Sequence, residues 1–483
     1  MRAILRALAF LLMLTATAGR PDLLRAADAS AGTEPRPVPE PAQTEVVGSE
    51  LTIVSPHWEG LRWEISRAFS EWHEKKYGTP VHVRYLDIGG GSSIVRYLTN
   101  NKQMVAGIDI IFGGGTDPCI GLKKEGMLQH VDLPAETAEA IPADLFGMPL
   151  RDKEGFWFGT YVSSFGILSN EKVRNWMHLP EANTWEDLTN PVLQSWVSSG
   201  DPRQSGSIHQ MYEIIVQKYG WEKGWAVILA MSGNVRSFLK SASSSIKEAT
   251  FGEVAFALGI DQYGLSQVTY LGPESSRFVL PKEATVFSAD AIGILKQAAQ
   301  PVLARRFVEF VLSREGQLLV ALPKGAPGGA VRYDINRMGV RPALYTEVGA
   351  VSPIKVNPFA QYLGFDFKSD KAAERRGVLA GLLGAYIIDL HSELKAAWIA
   401  VNALPPERAE LKAQLSAELL RPPISEEDAQ ALARKIPPAK PKPGEKPKSA
   451  WDSPIRRNEL ILDWQRSASV RYADVLAKAR AAK

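Results

Sequence analysis

The stretch from Ile108 to Leu128 constrains the fold more than any other part of this sequence; it reads IDIIFGGGTDPCIGLKKEGML. Its first four residues are mostly apolar and β-branched, which is typical of a strand buried on both faces. Residues 113–115 are glycines that can adopt positive φ, and residues 116–118 form a helix-capping region with proline in the first turn. The pattern predicts a strand, a glycine turn and a helix whose first amides and dipole favour small anions.

Three other stretches rich in glycine and serine also precede predicted helices, namely residues 89–93, 201–207 and 241–245. Glycine and serine mark ordinary turns as well, so plain turns and helix caps are the alternative for any single loop. Four such loops in one chain favour a shared site built from backbone amides and hydroxyl groups.

The order of the elements predicts an α/β fold. Strand-like segments at 51–54 and 81–86 flank a helical pattern at 61–77, and this βαβ order predicts a parallel sheet. The glycine stretches at 89–91 and 113–115 then follow strands. Open α/β sheets bind ligands at the carboxyl ends of their strands, so these loops are expected at a binding site.

The N-terminus carries a targeting signal. Two arginines precede an apolar run at 7–14 that is too short to span a bilayer, and Ala27-Asp28-Ala29 matches a cleavage motif. We predict a cleaved signal peptide at residues 1–29, with an N-terminal anchor helix as the alternative, and a disordered, proline-rich spacer at 30–49. The mature protein is therefore expected in the periplasm or outside the cell.

Composition excludes several classes of function. A length of 483 residues allows two or three domains, and a net charge of +3 argues against nucleic-acid binding. Cys119 is the only cysteine, so no internal disulfide can form, and the seven histidines lack the spacing of zinc ligands. Two S-x-x-K sequences, at 237–240 and 244–247, lack the K-T-G and S-D-N motifs of penicillin-binding enzymes. The sequence predicts no enzyme activity and no cofactor.

From about Leu51 to Leu322 the sequence resembles the extracellular solute-binding proteins of bacterial ABC importers, family 1, with the type 2 fold. The similarity is to the branch that includes ferric-iron, phosphonate and sugar-phosphate binders. The segments that carry it, in this order, are IDIIFGGGTDPCIGLKKEGML, DPRQSGSIHQMYEIIVQKYGWEKGW, VAFALGIDQYG and ATVFSADAIGILKQAAQPVLARRFVEFVLSREGQ.

The resemblance implies two lobes with a hinge and a ligand cleft between them. Phe156–Asn170 and Thr285–Leu295 would be the crossing segments, and the protein would be a monomer that delivers a solute to a permease at the inner membrane. The expected division is lobe 1 at 50–158 and 289–340, lobe 2 at 159–288, a helical extension packed on lobe 1 at 341–436, a Pro/Lys linker at 437–450, and a C-terminal helix at 451–483.

The resemblance also implies a set of ligand-binding residues: His57, Trp58, Gly91, Ser92, Ser93, Gly114, Gly115, Thr116, Arg203, Ser205, Gly206, Ser207, Ser243, Ser244 and Tyr263. These residues supply hydroxyl groups and backbone amides, with Arg203 and Arg236 as candidate charge partners. Such donors form charge-assisted hydrogen bonds to an anion. The expected function is capture of a small polar or anionic solute, organic or phosphorylated.

Three alternatives stay open. Ferric-iron relatives use adjacent tyrosines with a histidine and a carboxylate, whereas here Tyr263 stands alone and glycines 113–115 occupy the carboxylate loop. A ferric site would use His57 and Tyr263, but no metal is the expected state. An exported sensory receptor that reports to a signalling kinase and an exported hydrolase are the other two alternatives.

Overall fold

The computed structural model describes residues 49–101, 107–359, 366–436 and 448–482. The predicted signal peptide at 1–29, the predicted spacer apart from Ser49, and most of the predicted Pro/Lys linker lie outside these residues.

The first lobe begins with alternating strands and helices, as predicted. Its opening elements are β1 (Glu50–Val54), α1 (Glu59–Tyr77), β2 (His82–Leu86), α2 (Gly91–Asn100), β3 (Ile110–Phe112), α3 (Asp117–Lys124), α4 (Ala135–Glu139), β4 (Asp144–Leu145) and β5 (Met148–Pro149). Leu61, Ile65 and Phe69 recur at helical spacing on α1 and are fully buried. Both β2 and β3 pair with β1 in parallel.

The second lobe follows the same rule of alternation. Its elements are β6 (Phe158–Asn170), α5 (Glu171–Trp176), β7 (Val197–Gly200), α6 (Gly206–Tyr219), α7 (Trp221–Asn234), β8 (Val235–Leu239), α8 (Ala242–Thr250), β9 (Phe256–Ile260), α9 (Asp261–Leu271) and β10 (Ser276–Val279). Strands β8 and β9 pair with β7 in parallel. Gly224 allows close packing of α6 and α7, since a Cβ there would lie 2.7 Å from Val216 Cα.

The chain then returns to the first lobe through β11 (Phe287–Ile294), α10 (Pro301–Leu312), α11 (Arg314–Ala321), β12 (Met338–Gly339) and α12 (Pro342–Val348). Residues 158–164 of β6 pair with β11, whereas residues 165–169 pair with β9. The strand order is β2-β1-β3-β11-β6-β9-β7-β8. The long strand β6 therefore belongs to the sheets of both lobes, which is the role expected of a crossing segment, and β11 lies beside its first half.

The C-terminal extension is helical, with α13 (Ser369–Leu383), a π-helical turn (Gly384–Ile388), α14 (His391–Asn402), α15 (Ala409–Leu419), α16 (Glu426–Ala433) and α17 (Pro454–Ala481). The prediction that the extension at 341–436 packs on the first lobe holds for its first residues, since Leu344 and Val348 cluster with Leu318 of α11, but it is wrong for the helices from α13 onward. Leu382 and Trp398 belong to the same core cluster as Ile208 and Trp225 of the second lobe. Gly233 of α7 explains the fit, because a Cβ there would lie 2.5 Å from Trp398 Cγ.

The sequence predicts one helix from Lys371 to Val401, but the structure bends this segment by 61° between α13 and α14. Gly384 opens the π-helical turn against Arg203, whose Cδ would lie 3.0 Å from a Cβ at this position. No single helix in the described ranges is long and apolar enough to cross a membrane. The two parts of this bent pair reach the necessary length and apolar composition only when they are taken together.

Candidate functional site

The glycine turn after β3 packs closely against two other loops of the first lobe. Gly113 has φ +92°, and a Cβ there would lie 2.4 Å from His57 Cε1. A Cβ at Gly114, where φ is +91°, would lie 3.1 Å from Gly91 Cα. Both positions need glycine because of the backbone conformation and the contact. The starts of α2 and α3 are therefore adjacent, with His57 beside them.

The Asp290 carboxylate of β11 connects these groups. Its Oδ1 accepts a hydrogen bond from the Gly115 amide at 2.8 Å. Its Oδ2 accepts a hydrogen bond from Arg337 Nη1 at 3.0 Å and lies 2.9 Å from His57 Nε2. His57 Nδ1 lies 2.9 Å from Ser55 Oγ, so the ring is held from both sides. The Gly115 amide, which the sequence analysis assigned to ligand binding, thus donates its hydrogen bond to a carboxylate of the protein itself.

The charges of this cluster follow from its burial. Burial lowers the pKa of His57, against the attraction of Asp290. Burial alone would raise the pKa of the Asp290 carboxyl, but His57, Arg337 and the Gly115 amide hold it well below its usual range. Arg337 is 2% exposed, and its Nε has no hydrogen-bond partner among the residues described. The site therefore contains a buried cation with a remaining donor.

Serine hydroxyls line the helix starts of the second lobe and bond to one another. Ser205 Oγ caps α6 by accepting the Ile208 amide, and it lies 3.2 Å from Ser207 Oγ. Ser241 Oγ caps α8 and lies 3.0 Å and 2.9 Å from the hydroxyls of Ser243 and Ser244. The loops that contain Ser205 and Ser241 are adjacent. A Cβ at Gly200, just before the Ser205 loop, would lie only 3.2 Å from the Ser241 carbonyl carbon.

The helix starts of the two lobes meet at Arg376, which lies on α13. Its Nη1 donates to Asp117 Oδ2 at 2.8 Å, in the first turn of α3. Its Nη2 lies 3.3 Å from where a Cβ of Gly206 would stand, at the first residue of α6. Two predicted anion-binding loops from different lobes are thus separated by a single guanidinium group.

The remaining predicted residues are placed as follows. Ser92 and Ser93 lie in the first turn of α2, Thr116 precedes α3, and Trp58 is 40% exposed and contacts Tyr333 at 5.4 Å. Tyr263 lies in the first turn of α9, where burial raises the pKa of its hydroxyl against the charge of Arg337.

The two candidate charge partners bond to carboxylates of the protein itself. Arg203 pairs with Asp201 at 2.9 Å and with Asp389 of the extension at 2.8 Å. Arg236 pairs with Glu253, and lies 3.7 Å from Glu248. The carboxylates thus engage Arg203 through all three of its side-chain nitrogens, and they engage Arg236 through Nη1. Sequence reasoning did not single out Arg337, Asp290 or Arg376, the ionic groups that connect the loops.

A ferric site would need His57 and Tyr263 as ligands. His57 Nε2 faces Asp290 and Nδ1 faces Ser55, while the raised pKa of Tyr263 disfavours the phenolate that binds Fe(III). No three His, Cys, Asp or Glu side chains are grouped so that they could hold a metal ion, within the ranges that the structure describes.

Asp261, at the start of α9, makes stability depend on pH. Its carboxylate accepts from the Ser164 amide and hydroxyl, each at 3.1 Å, and from the Gln262 amide at 2.7 Å. Burial nevertheless raises the pKa of Asp261 from 3.8 to about 6. The folded protein therefore binds more protons than the unfolded chain between these values, and the contribution of Asp261 to the free energy of unfolding falls as pH rises through them.

We expect this loss to reach about 2 kcal/mol between pH 4 and pH 6.5. Urea unfolding gives the free energy of unfolding of the wild type and of Asp261→Asn at both pH values. The difference between the two proteins at each pH isolates the contribution of Asp261, because the other titrating groups cancel. The matched control is Asp463→Asn on α17, whose carboxylate is exposed. An equal difference at the two pH values for Asp261→Asn contradicts the assignment.

Two α/β lobes share a long crossing strand, and helix starts from both lobes face one junction. This arrangement defines the class of two-lobed binding proteins with the type 2 periplasmic-binding-protein fold. Residues 109–336 match the family model of bacterial extracellular solute-binding proteins. This region, just under half of the chain, is thus similar to that family.

Solved structures agree on the fold. The periplasmic binding protein AfuA from Actinobacillus pleuropneumoniae, with fructose-6-phosphate bound, is 21% identical with a TM-score of 0.53, over 71% of this chain and 99% of that one. Apo ferric ion-binding protein A from Pasteurella haemolytica is 16% identical with a TM-score of 0.53, over 70% and 97%. This chain therefore contains nearly the whole fold of these proteins and additional residues.

Among curated relatives, the phosphoglycerate transport regulatory protein PgtC of Salmonella typhimurium is 29% identical over 197 residues, which are 40% of this chain and 49% of the relative. An uncharacterized protein of Haemophilus influenzae is 25% identical over 261 residues, 53% of this chain and 70% of that protein. The chain spans about half the length of PgtC.

Proposed function

We propose that this protein is an exported receptor that binds a small phosphorylated or organic anion between its lobes and delivers it to an ABC permease. The observation that carries the proposal is the meeting of the α3 and α6 starts on either side of one guanidinium. The amides of Gly206 and Ser207 have no acceptor within the described residues, as expected for the first turn of a helix. Such amides and the helix dipole favour an anion.

The relatives support a phosphorylated ligand. PgtC is named for phosphoglycerate transport, and AfuA was solved with fructose-6-phosphate. A phosphate group presents several acceptor oxygens, which suits amides and hydroxyls that approach from both lobes. Closure around such a ligand would be favoured because contacts to both lobes form only in the closed state.

The test is a thermal-shift screen against inorganic phosphate, 3-phosphoglycerate, fructose 6-phosphate and ferric citrate. A ligand at one hundred times its dissociation constant adds about 2.7 kcal/mol to the free energy of unfolding, which raises the melting temperature. We expect a shift with a phosphorylated anion. A shift with ferric citrate alone, or no shift with any compound, contradicts the proposal.

Ser207→Ala is the variant of choice for locating the ligand. Ser205 is less suitable because its hydroxyl caps α6, and loss of the cap itself costs about 1 kcal/mol. We expect Ser207→Ala to weaken binding of the phosphorylated anion about tenfold, because a hydrogen bond to a charged group is lost. Ser416→Ala, a half-buried serine on α15, is the matched control. Equal dissociation constants for the two variants would move the ligand away from α6.

A sensory role is the second candidate, because PgtC is named a transport regulatory protein. The two roles differ in what deletion of the gene changes. Loss of solute uptake with intact induction of the transport genes supports the receptor of an importer. Loss of induction, with uptake restored when the permease is expressed independently, supports the sensor. A third role, as a hydrolase, would require turnover of the bound anion.

A further inference from the structure

Arg376 comes from outside the part of the chain that matches the family. The match ends at residue 336, whereas α13 spans Ser369–Leu383 in the C-terminal extension. From there the Arg376 guanidinium contacts Asp117 of α3 and lies over Gly206 of α6. One side chain of the extension therefore reaches the helix starts of both lobes.

The backbone that carries Arg376 is fixed to the second lobe. The preceding residue, Arg375, is 1% exposed and donates to Glu213 Oε1 of α6 at 2.7 Å. Further along the extension, Asp389 accepts from Arg203 at 2.8 Å. The base of the Arg376 side chain is thus rigidly placed beside α6, while its tip reaches the first lobe.

The Arg376–Asp117 pair does little for stability. The Arg376 side chain is 38% exposed and that of Asp117 is 59% exposed, so water screens their attraction. Asp117 does, however, place a negative charge in the first turn of α3, where it would repel an anionic ligand. A guanidinium beside Asp117 removes that repulsion and brings its own N–H donors to the junction.

A second group at this junction has an unused polar atom. His209, in the first turns of α6, is 2% exposed, and its Nε2 has no hydrogen-bond partner among the described residues. Burial, together with the charges of Arg376 and Arg375, lowers the pKa of His209 to about 3. The imidazole is therefore neutral, and the positive charge next to the starts of α3 and α6 comes from Arg376.

We propose that Arg376 is a ligand-binding residue, and that the C-terminal extension completes the anion site between the starts of α3 and α6. The proposal rests on the proposed function, since it names the cation of that same site. The Arg376 guanidinium donates to the phosphate or carboxylate of the bound anion, which the helix amides contact from either lobe. The extension is then part of the binding site and not only a cover for the second lobe.

The experiment is isothermal titration of the purified full-length mature protein with 3-phosphoglycerate and with fructose 6-phosphate. We expect Arg376→Met to raise the dissociation constant about tenfold or more, and Arg376→Lys to have an intermediate effect because the charge is kept and the planar donor pair is lost. Asp117→Asn should bind as tightly as the wild type or more tightly. Arg466→Met is the matched control, because Arg466 is an exposed arginine paired with an aspartate on α17.

Equal dissociation constants for Arg376→Met and Arg466→Met overturn the proposal. Melting curves without ligand show whether each variant is folded, and Arg376→Lys provides the test if Arg376→Met is not. A wild type that binds neither compound would instead contradict the proposed function itself. The two failures are therefore distinguishable in one set of titrations.

Discussion

The Arg375→Met variant is expected to lose about 3–5 kcal/mol of its free energy of unfolding. The Arg375 guanidinium donates to Glu213 Oε1 at 2.7 Å and to Glu426 Oε1 at 2.6 Å, and it lies 5.2 Å from the Trp221 ring centroid. The Arg375 and Glu213 side chains are each 1% exposed. Truncation leaves the Glu213 carboxylate buried without its cation, and urea unfolding measures the loss.

The double variant Arg375→Met/Glu213→Gln is the control. With both charges removed, no uncompensated ion remains, so the double variant should be more stable than Arg375→Met alone. Arg466→Met reports the effect of losing an exposed arginine. If Arg375→Met and Arg466→Met unfold at the same urea concentration, the buried pair does not anchor the extension.

The second large effect is expected for Asp290→Ala, which should lower the free energy of unfolding by about 3 kcal/mol. Removal of this carboxylate leaves the Arg337 guanidinium, the His57 imidazole and the Gly115 amide without their common acceptor. Arg337 and His57 are 2% and 4% exposed, so water does not readily replace the lost contacts. Denaturant unfolding of the ligand-free protein measures the change.

The Asp290→Asn variant removes the negative charge of this side chain but keeps its size and shape. The amide keeps one acceptor of the same size, so a smaller loss of about 1–2 kcal/mol is expected. Equal stability of Asp290→Ala and the wild type would show that Asp290 does not hold the glycine turn, His57 and Arg337 together.

Much of the α/β body could be predicted because its elements carry local signals. The helix at Pro301–Leu312 begins at a proline and has an apolar stripe, and the structure places α10 at the same residues. The strand at 108–111 was expected slightly early, since β3 spans Ile110–Phe112. The bend between α13 and α14 was missed; at the π-helical turn, Gly384 lies against Arg203, which is far away in sequence and which no local pattern places there.

The predicted ligand residues stay predictions, although several of them are neighbours in the structure. Gly91 and Gly114 touch, and Ser205 and Ser207 share a hydrogen bond. Arg203 and Arg236 looked like charge partners because they are near the serine loops in sequence. Besides its neighbour Asp201, Arg203 bonds to Asp389 of the extension, and Arg236 bonds to Glu253. No local pattern predicts the pairs with Asp389 and Glu253.

The sequence alone determined the order of strands and helices and the glycine and serine helix starts, because propensity, capping and apolar periodicity act over a few residues. Only the tertiary structure decided that the extension packs on the second lobe, that Asp290 joins His57 to Arg337, and that Arg376 reaches Asp117. Each of these contacts joins residues tens to hundreds of positions apart. Their energies depend on burial and distance, which exist only once the chain has folded.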